Sequence, residues 1–366
     1  MTASCSVCFC RHLALILLLS IYIVKSREYT YRMAIIPMTE TIVIIGSGLA
    51  GLSAARRLQQ AGHQALILDK GRRIGGRMST RRAEGFLFNH GAQFVTARSE
   101  RFKAVCQAAV DGGKLASWPL DGREQALSGT PAMRGLAEFM GQGLRIEQDV
   151  EVEHIICAAD GLVHLSLSNK TQITCRHLLV TCPAPQTARL LATAAPRLAA
   201  AAAEVRYAPC WTVMAGFSAP LALPAAPVQT HTGIVGWATY EGSRPEANGH
   251  AALTLQANAD YSTAHLEDPH EQICTALLAA FEAECEISLP APAYLSAHRW
   301  RYAKVERSCA EQDPFFSPHE GGSITVAGDW HPAEGEGNRR GTGTRAEDAF
   351  LSGERAASRL IETLVQ

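Results

Sequence analysis

Charge is scarce in this chain: Lys, Arg, Asp and Glu make up 19% of its 366 residues, and the formal net charge is -1. A chain with no surplus of basic residues lacks the electrostatic footprint of a nucleic-acid binder, and only local basic patches remain. Long apolar runs are missing as well. Leu13–Val24, between Arg11 and Lys25, is the candidate span, and it falls short of the about 20 residues that cross a bilayer as a helix. Paired cysteine spacing is absent among the eleven cysteines, apart from the group Cys5, Cys8 and Cys10. That excludes a disulfide framework and points to buried thiols in a reducing compartment. No second ligand cluster accompanies those three cysteines, so no metal site is assigned. The chain also has no Ser-His-Asp pattern, no internal repeat and no low-complexity linker. Its length exceeds one small core and suits two intimate domains.

Residues 1–37 form an N-terminal extension with two readings. In one, the start lies upstream of the true one, the domain begins near Met38, and the protein is cytoplasmic. In the other, residues 11–25 act as a signal or anchor, although no small-x-small cleavage site follows them.

The segment that carries most information is Ile42-Val43-Ile44-Ile45-Gly46-Ser47-Gly48-Leu49-Ala50-Gly51. An apolar β-branched strand runs into G-x-G-x-x-G, and a helical pattern follows. Gly46 permits the tight turn, Gly48 lets the backbone approach a pyrophosphate, and Gly51 lets helix pack close on strand. The helix N-terminus then faces the phosphates with free N–H groups. Asp69, at the end of the strand Ala65–Leu68, stands where a ribose-binding carboxylate belongs. The motif by itself fits NAD as well as FAD.

The pattern predicts strands over Thr41–Ile45, Ala65–Leu68, Leu144–Ile156, Leu162–Leu167 and Gln172–Thr181, and helices over Leu52–Ala61 and Leu190–Val205. Further strands fall at Trp211–Phe217, Gly233–Tyr240, Ala251–Ala257 and Ser323–Ala327, with helices over His270–Cys285 and from Ala346. The expected fold is α/β: a discontinuous Rossmann-like dinucleotide domain over 38–98, 144–208 and 320–366, with an inserted β-rich α+β substrate domain over 99–143 and 209–319.

Arg73-Ile74-Gly75-Gly76-Arg77 adds a glycine turn beside the phosphates and a planar, permanently charged fork for their oxygens. Together with Gly46, Gly48, Gly51 and Asp69, this segment resembles the adenine-dinucleotide signature of the two-dinucleotide-binding-domain flavoproteins, the group that includes amine oxidases. Asp69 stands where that group usually has Glu. Val326-Ala327-Gly328-Asp329 looks like the group's late motif, and Gly343–Gly353 like the start of its last helix. The resemblance implies non-covalent FAD, held by Gly46, Ser47, Gly48, Ala50, Gly51, Asp69, Lys70, Gly75, Gly76, Arg77, Gln93, Val152, Gly328, Asp329, Arg345 and Ala346. No cysteine follows Cys309, which removes a C-terminal covalent flavin link, and no C-x-x-x-x-C accompanies the first glycine motif, which removes a disulfide reductase.

Phe88-Asn89-His90-Gly91-Ala92-Gln93-Phe94, Ser243-Arg244-Pro245 and His298-Arg299-Trp300-Arg301-Tyr302-Ala303 resemble segments of renalase-type flavoproteins, especially the bacterial branch. Asn89 stands where Asp is usual there, Asp348 replaces a usual Gly, and the loop from His331 to Gly341 is long and charged. The resemblance implies an oxidase that takes hydride from the 2- and 6-dihydro isomers of NAD(P)H to flavin N5, regenerates NAD(P)+ and reduces O2 to hydrogen peroxide. Aromatisation of the nicotinamide drives such a step, so the protein needs to orient the ring and supply no general base. Trp237, Tyr240, Arg244, His298 and Trp300 are the candidates for holding a nicotinamide and its phosphate tail. The expected partners are a small dihydronicotinamide and O2, with no nucleic acid and no firm membrane association. An amine oxidase or a desaturase of the same fold is the alternative, and a non-catalytic flavin-binding protein is a third reading.

Overall fold

Ile42 to Ile45 are apolar and β-branched, and both faces of the strand they form, β1 (Met38–Ile45), are buried. That is the signature of a central strand in a parallel sheet covered on both sides. The structure is a computed structural model, and it describes residues 38–120, 122–223, 227–229, 233–245, 247, 251–311, 313–316, 322–331 and 345–364. The expectations for residues 1–37, for Gly343 and Thr344, and for most of the loop after His331 therefore lie outside the described residues.

After β1 come α1 (Leu49–Gln60) and β2 (Leu66–Asp69), which runs parallel to β1 with Val43 opposite Leu66. β3 (Arg81–Ala83) and β4 (Phe86–Phe88) make a hairpin. α2 (Glu100–Asp111) is an additional helix, capped by Ser99, whose Oγ accepts from the Phe102 N–H. β5 (Leu115–Ser117) and β6 (Leu127–Gly129) form a second hairpin, followed by α3 (Gly135–Gly141).

The segment expected as one strand from Leu144 to Ile156 is two strands. β7 (Arg145–Gln148) lies parallel to β2, and β8 (Val152–Cys157) turns away to pair with β9 (Val163–Leu167). The break sits at Asp149, whose φ is 61°, while the Val150 N–H reaches back to the Asp69 carbonyl at 3.0 Å. β10 (Gln172–Val180) completes that meander. The helix expected over Leu190–Val205 is α5 (Pro196–Ala203), preceded by a separate α4 (Ala184–Leu191). Pro196 has no N–H to donate, so it opens a helix and cannot continue one.

β11 (Arg206–Gly216), β12 (Val235–Tyr240), β13 (Ala252–Ala257), α6 (Ala259–Ala264), α7 (His270–Cys285) and β14 (Tyr294–Arg307) follow. β15 (Phe315–Phe316), β16 (Ser323–Val326) and α8 (Ala346–Leu364) close the described chain.

The first sheet has the order β15-β16-β10-β1-β2-β7, with β9 also on β10 and β8 on β9. The carboxyl ends of its central strands are level: the Gly46 N–H donates to Leu68 O at 2.8 Å, Thr181 to Ile45 at 2.9 Å, and Ala327 to Val180 at 3.0 Å. Ligands of open α/β sheets gather outside such ends. One face of this sheet packs Ile42, Ile44 and Ile67 against Leu52, Leu58, Phe350 and Leu360. Residues 99–143, expected with the second sheet, put Phe102, Leu136 and Met140 into that same cluster. The other face packs Val43, Leu66, Leu178 and Val180 against Leu191 and Leu198.

The second sheet is antiparallel, in the order β12-β13-β11-β14. Strand side chains alternate between faces. Trp211, Val213, Ala215, Leu253, Leu255 and Ala297 face one way and pack with Ile273, Leu277 and Phe281 of α7. The intervening residues, Thr212, Thr254, Gln256, His298 and Trp300, face the other way. Among the described residues no helix is long and apolar enough to cross a membrane.

Candidate functional site

The turn after β1 needs two of its three glycines for its own packing. Gly46 has φ of 107°, and a Cβ there would meet Thr181 Oγ1 at 2.6 Å. At Gly51 a Cβ would overlap the Gly46 carbonyl oxygen, so α1 docks on the turn only through a bare Cα. Gly48 differs: among the described residues a Cβ there meets nothing within 4 Å. Those residues leave the space over its backbone free for an approaching group. Gly75 and Gly76, with φ of 110° and 52°, bring the second loop alongside, and the Gly75 N–H donates to Ser47 O at 2.9 Å. Ala50 is buried in the first turn of α1, under Gly353 of α8.

Asp69 closes this cradle. Its carboxylate accepts from Ser47 N at 2.5 Å, Ser47 Oγ at 2.6 Å and Gly71 N at 2.6 Å. A carboxylate offers about four acceptor sites, so capacity for a hydroxyl remains. Val152 lies at the start of β8 in the apolar cluster of that face. Lys70 forms a surface pair with Glu151 at 3.6 Å.

Arg77 and Asp329 come together at the carboxyl edge, 2.5 Å apart, with Asp329 fully enclosed. The Arg77 guanidinium also donates to the Ala303 carbonyl at 3.2 Å. Burial opposes its charge, but the field of Asp329 and their hydrogen bonding more than offset this, so the Arg77 pKa is raised. The fork expected to hold pyrophosphate is thus engaged by Asp329 here. Asp329 Oδ1 has no hydrogen-bond partner among the described residues, although buried acceptors are almost always paired. Tyr207 stands nearby; burial, then the Asp329 charge, raises its phenol pKa. Gly328 donates its N–H to Ser352 Oγ at 3.1 Å, which ties this turn to α8. At the start of α8, Asp348 accepts from the Arg345 N–H at 3.0 Å, one residue ahead of Ala346. That is the reciprocal half of a capping box and gives Asp348 a structural reason to be there.

The segment 88–94 joins this edge to the second sheet. The Ala92 N–H donates to Arg77 O at 2.8 Å, and a Cβ on Gly91 would overlap that carbonyl. On the other side, Trp300 Nε1 donates to His90 O at 2.8 Å and Gln256 Nε2 to Gly91 O at 2.8 Å. His90 stacks on Trp300 with centroids 5.4 Å apart and meets His298 edge-on at 5.0 Å. Burial, then the neighbouring His298 and Arg81, lowers the His90 pKa to about 3. Burial and Arg81 bring His298 to about 4. Both imidazoles are neutral at pH 7. They can present rings and hydrogen-bonding nitrogens but no positive charge.

Beneath this segment is a buried polar network. Glu241 accepts from Asn89 N and Asn89 Nδ2, both at 2.9 Å, from Thr254 Oγ1 at 2.6 Å and from Arg244 Nε at 2.7 Å. Arg244 also donates to Gln93 O and Gln93 Oε1, both at 2.7 Å, and its guanidinium lies 4.5 Å over the Trp118 ring. Its side chain is 3% exposed. Arg244, proposed from sequence as a substrate residue, is therefore committed to the network, where it fixes Gln93. Trp237 is joined through Thr239: Trp237 Nε1 donates to Thr239 Oγ1 at 2.6 Å, and that hydroxyl to Gln93 Oε1 at 3.2 Å. Trp237 and Phe94 lie 5.5 Å apart, with the Arg123 guanidinium 5.2 Å and 5.9 Å over Phe94 and Trp237 respectively. Tyr240 is not brought in; it shares strand parity with Ala238, which packs toward α7.

Sequence reasoning missed Glu241, Thr239, Arg123, Phe94 and Tyr207 as site neighbours. Glu241 and Arg244 carried a legible signal, two opposite charges at i and i+3 between a strand and a proline. The others had none, because their partners are remote in the chain.

Does the arrangement fit FAD? Among the described residues, an open path over Gly48, the left-handed Gly75-Gly76 turn and the buried Asp329 carboxylate, whose Oδ1 has no hydrogen-bond partner there, together make a cradle for a phosphate-bearing, hydroxyl-rich ligand. The residues fit.

Comparison with known proteins agrees. Residues 44–109 match the profile of the NAD(P)-binding Rossmann-like domain, and residues 112–361 match that of the flavin containing amine oxidoreductases. The 4,4'-diapophytoene desaturase (4,4'-diaponeurosporene-forming) of Staphylococcus haemolyticus is 42% identical over 64 residues, 18% of this chain and 13% of its own. A protein of Mycobacterium tuberculosis provisionally identified as the flavin-containing monoamine oxidase AofH is 41% identical over 59 residues, 16% of this chain and 13% of its own. The chain thus matches only 13% of the length of each of these curated relatives. Among solved structures, one provisionally assigned as a protoporphyrinogen oxidase from Exiguobacterium sp. 255-15 superposes with a TM-score of 0.66 at 16% identity, covering 90% of this chain and 100% of the other. At that identity the likeness establishes the fold alone.

Proposed function

Because the chain belongs to the flavin containing amine oxidoreductases and its cofactor is accordingly FAD, we propose that it is an oxidase of dihydronicotinamides, acting on the 2- and 6-dihydro isomers of NAD(P)H. When bound, FAD accepts a hydride and passes the electrons to O2, giving hydrogen peroxide. Gly46, Ser47, Gly48, Ala50, Gly51, Gly75 and Gly76 would hold the pyrophosphate, Asp69 a ribose, and Asp329 the hydroxyls of the chain between phosphate and ring. Arg77 would be shared between Asp329 and the phosphates. Gln93, fixed by Arg244 and Thr239, would stand at the ring itself. Residues 38–98, 144–208 and 320–366 make up the FAD half in this reading, joined by α2 and α3 through their packing, and the second sheet makes up the substrate half.

One observation carries the choice of substrate: the platform of Phe94 and Trp237 capped by Arg123, next to the fixed Gln93. Flat rings orient a nicotinamide, and a guanidinium attracts its phosphate tail. His90 and His298, both neutral at pH 7, add polar edges without repelling a cationic product. Hydride loss from such a substrate needs alignment and no base. Amine oxidation is the second reading, favoured by the family to which the chain belongs. No disulfide joins the eight described cysteines, which suits work in the reducing cytoplasm.

The test is anaerobic mixing of the purified yellow protein with borohydride-reduced NAD, which contains the isomers, while the visible flavin band is followed. Rapid bleaching with the 2- or 6-dihydro isomer and none with amines is expected. Bleaching by a primary or secondary amine alone overturns the dihydronicotinamide reading, and protein that takes up no flavin overturns both.

A further inference from the structure

Beside the Gly75-Gly76 turn, a cavity of about 110 Å³ opens between residues 73–82 and the segment leading into α3, lined by Arg73, Thr80, Arg82, Pro131, Ala132, Arg134 and Glu138. It has room for several waters or one small polyatomic ion. Three guanidiniums face one carboxylate there. Arg134 is held in place, its Nη2 donating to Thr80 O at 2.8 Å and Ser79 Oγ at 3.2 Å. Its Nε is buried and has no hydrogen-bond partner among the described residues. Arg73 and Arg82 are exposed, and neither forms an ion pair among the described residues. Burial, then Arg73, and more weakly Arg82, depress the Arg134 pKa, with Glu138 opposing. Like charges crowd this spot, and a buried donor is left unused.

We propose that this cavity is a phosphate-binding site, taking a dianionic phosphate group on Arg73, Arg82 and Arg134. The ligand chemistry follows from the donors. Guanidiniums bind tetrahedral oxyanions in bidentate fashion, and a dianion removes the mutual repulsion of the three arginines. Glu138 limits affinity by standing on the same wall. None of these residues is among the proposed flavin contacts, although Arg134 lies beside Gly75 of the cradle.

The experiment uses FAD-loaded protein, so that the flavin's own phosphates already fill the cradle. Inorganic phosphate is titrated calorimetrically at fixed ionic strength, with sodium chloride as the balancing salt. Saturable binding is expected, weakened about tenfold or more in Arg82→Gln and in Arg134→Gln, and strengthened in Glu138→Gln, with flavin content unchanged. Arg82 is exposed, so its variant remains interpretable if Arg134→Gln folds poorly. Adenosine 2'-monophosphate and adenosine form the second arm. Tighter binding of the nucleotide than of inorganic phosphate, with none by adenosine, assigns the phosphate to a nucleotide; equal binding assigns it to the free ion. No saturable phosphate binding, or binding unchanged in both arginine variants, overturns the proposal.

Discussion

Adding one methyl group at Gly48 and one at Gly51 should have opposite consequences, although the two glycines belong to one motif. At Gly51 the new Cβ overlaps the Gly46 carbonyl oxygen. That carbonyl cannot retreat freely, because Gly46 N–H is bonded to Leu68 O at 2.8 Å and fixes the turn to β2. Overpacking costs about 1–3 kcal/mol, and loss of one backbone hydrogen bond adds about 1 kcal/mol, so Gly51→Ala should destabilise the apoprotein by about 2–4 kcal/mol. At Gly48 the backbone has φ of -72° and ψ of 179°, which any residue adopts, and the Cβ enters open space. Alanine is a poorer N-cap than glycine by roughly 0.5–1 kcal/mol, and it recovers roughly 0.4–1 kcal/mol from the unfolded chain. The net change in apoprotein stability should stay within about 0.5 kcal/mol. The methyl instead stands where the phosphates must come, and Gly48→Ala should lose flavin affinity about tenfold or more. Urea unfolding of both apoproteins, and flavin-to-protein ratios after gel filtration, measure the two quantities separately. Full flavin retention in Gly48→Ala, or equal destabilisation by both substitutions, would refute the assignment of the space over Gly48.

Four other outcomes follow from the same geometry. Glu241→Gln leaves Arg244 buried without its counter-ion and should cost about 3–5 kcal/mol in urea unfolding; a loss below about 1 kcal/mol would show that Arg244 repairs itself elsewhere. Asn89→Asp places a second carboxylate against Glu241 and should lower the unfolding midpoint at pH 7, with partial recovery when Glu241→Gln is added. The folded-state pKa values of His90, His298 and His177, about 3, 4 and 4, lie below the unfolded value. Their neutral forms are favoured by folding, so stability is complete above about pH 6.5 and falls toward pH 4, by at most about 1.4 kcal/mol per pH unit for each histidine; His298→Phe should make the urea-midpoint slope shallower. Trp237→Ala should raise KM for the dihydronicotinamide about tenfold while flavin content is unchanged, and an unaltered KM would remove Trp237 from the substrate site.

What was legible in the sequence was local. The β1 turn, Asp69 and the Gly75-Gly76 loop announce themselves because steric limits on glycine and the ends of strands act over a few residues. His270–Cys285 and the start of α8 at Ala346 came out at their expected bounds for the same reason. The misread segments failed where a single residue decides between neighbours in space. Asp149 diverts the chain from β2 to β9 only because Val150 finds the Asp69 carbonyl. α2 and α3 join the first sheet's core because Phe102 and Met140 meet Phe350 and Ile44 there, contacts no local pattern encodes. In the site, Gln93 was expected as a flavin neighbour, but the groups that fix it, Arg244 and Thr239, lie more than a hundred residues away.

Asn89 shows how that distance hides meaning. It stands where the renalase-like pattern has Asp, which in sequence looked like a departure at the flavin edge. In the fold its carboxamide has two different neighbours. Oδ1 accepts from Thr80 Oγ1 at 2.9 Å and from Met133 N at 2.8 Å, while Nδ2 donates to Glu241 at 2.9 Å. An amide can do both; an ionised carboxylate can only accept. With the Glu241 carboxylate already buried against Arg244, a second carboxylate at 89 would leave two carboxylates sharing one guanidinium in a dry pocket, where repulsion is least screened. The amide at 89 and the carboxylate at 241 are therefore one choice made at two positions. The residue that looked anomalous is what allows the charge that orients Arg244, and through Arg244 the side chain of Gln93, to be buried at all.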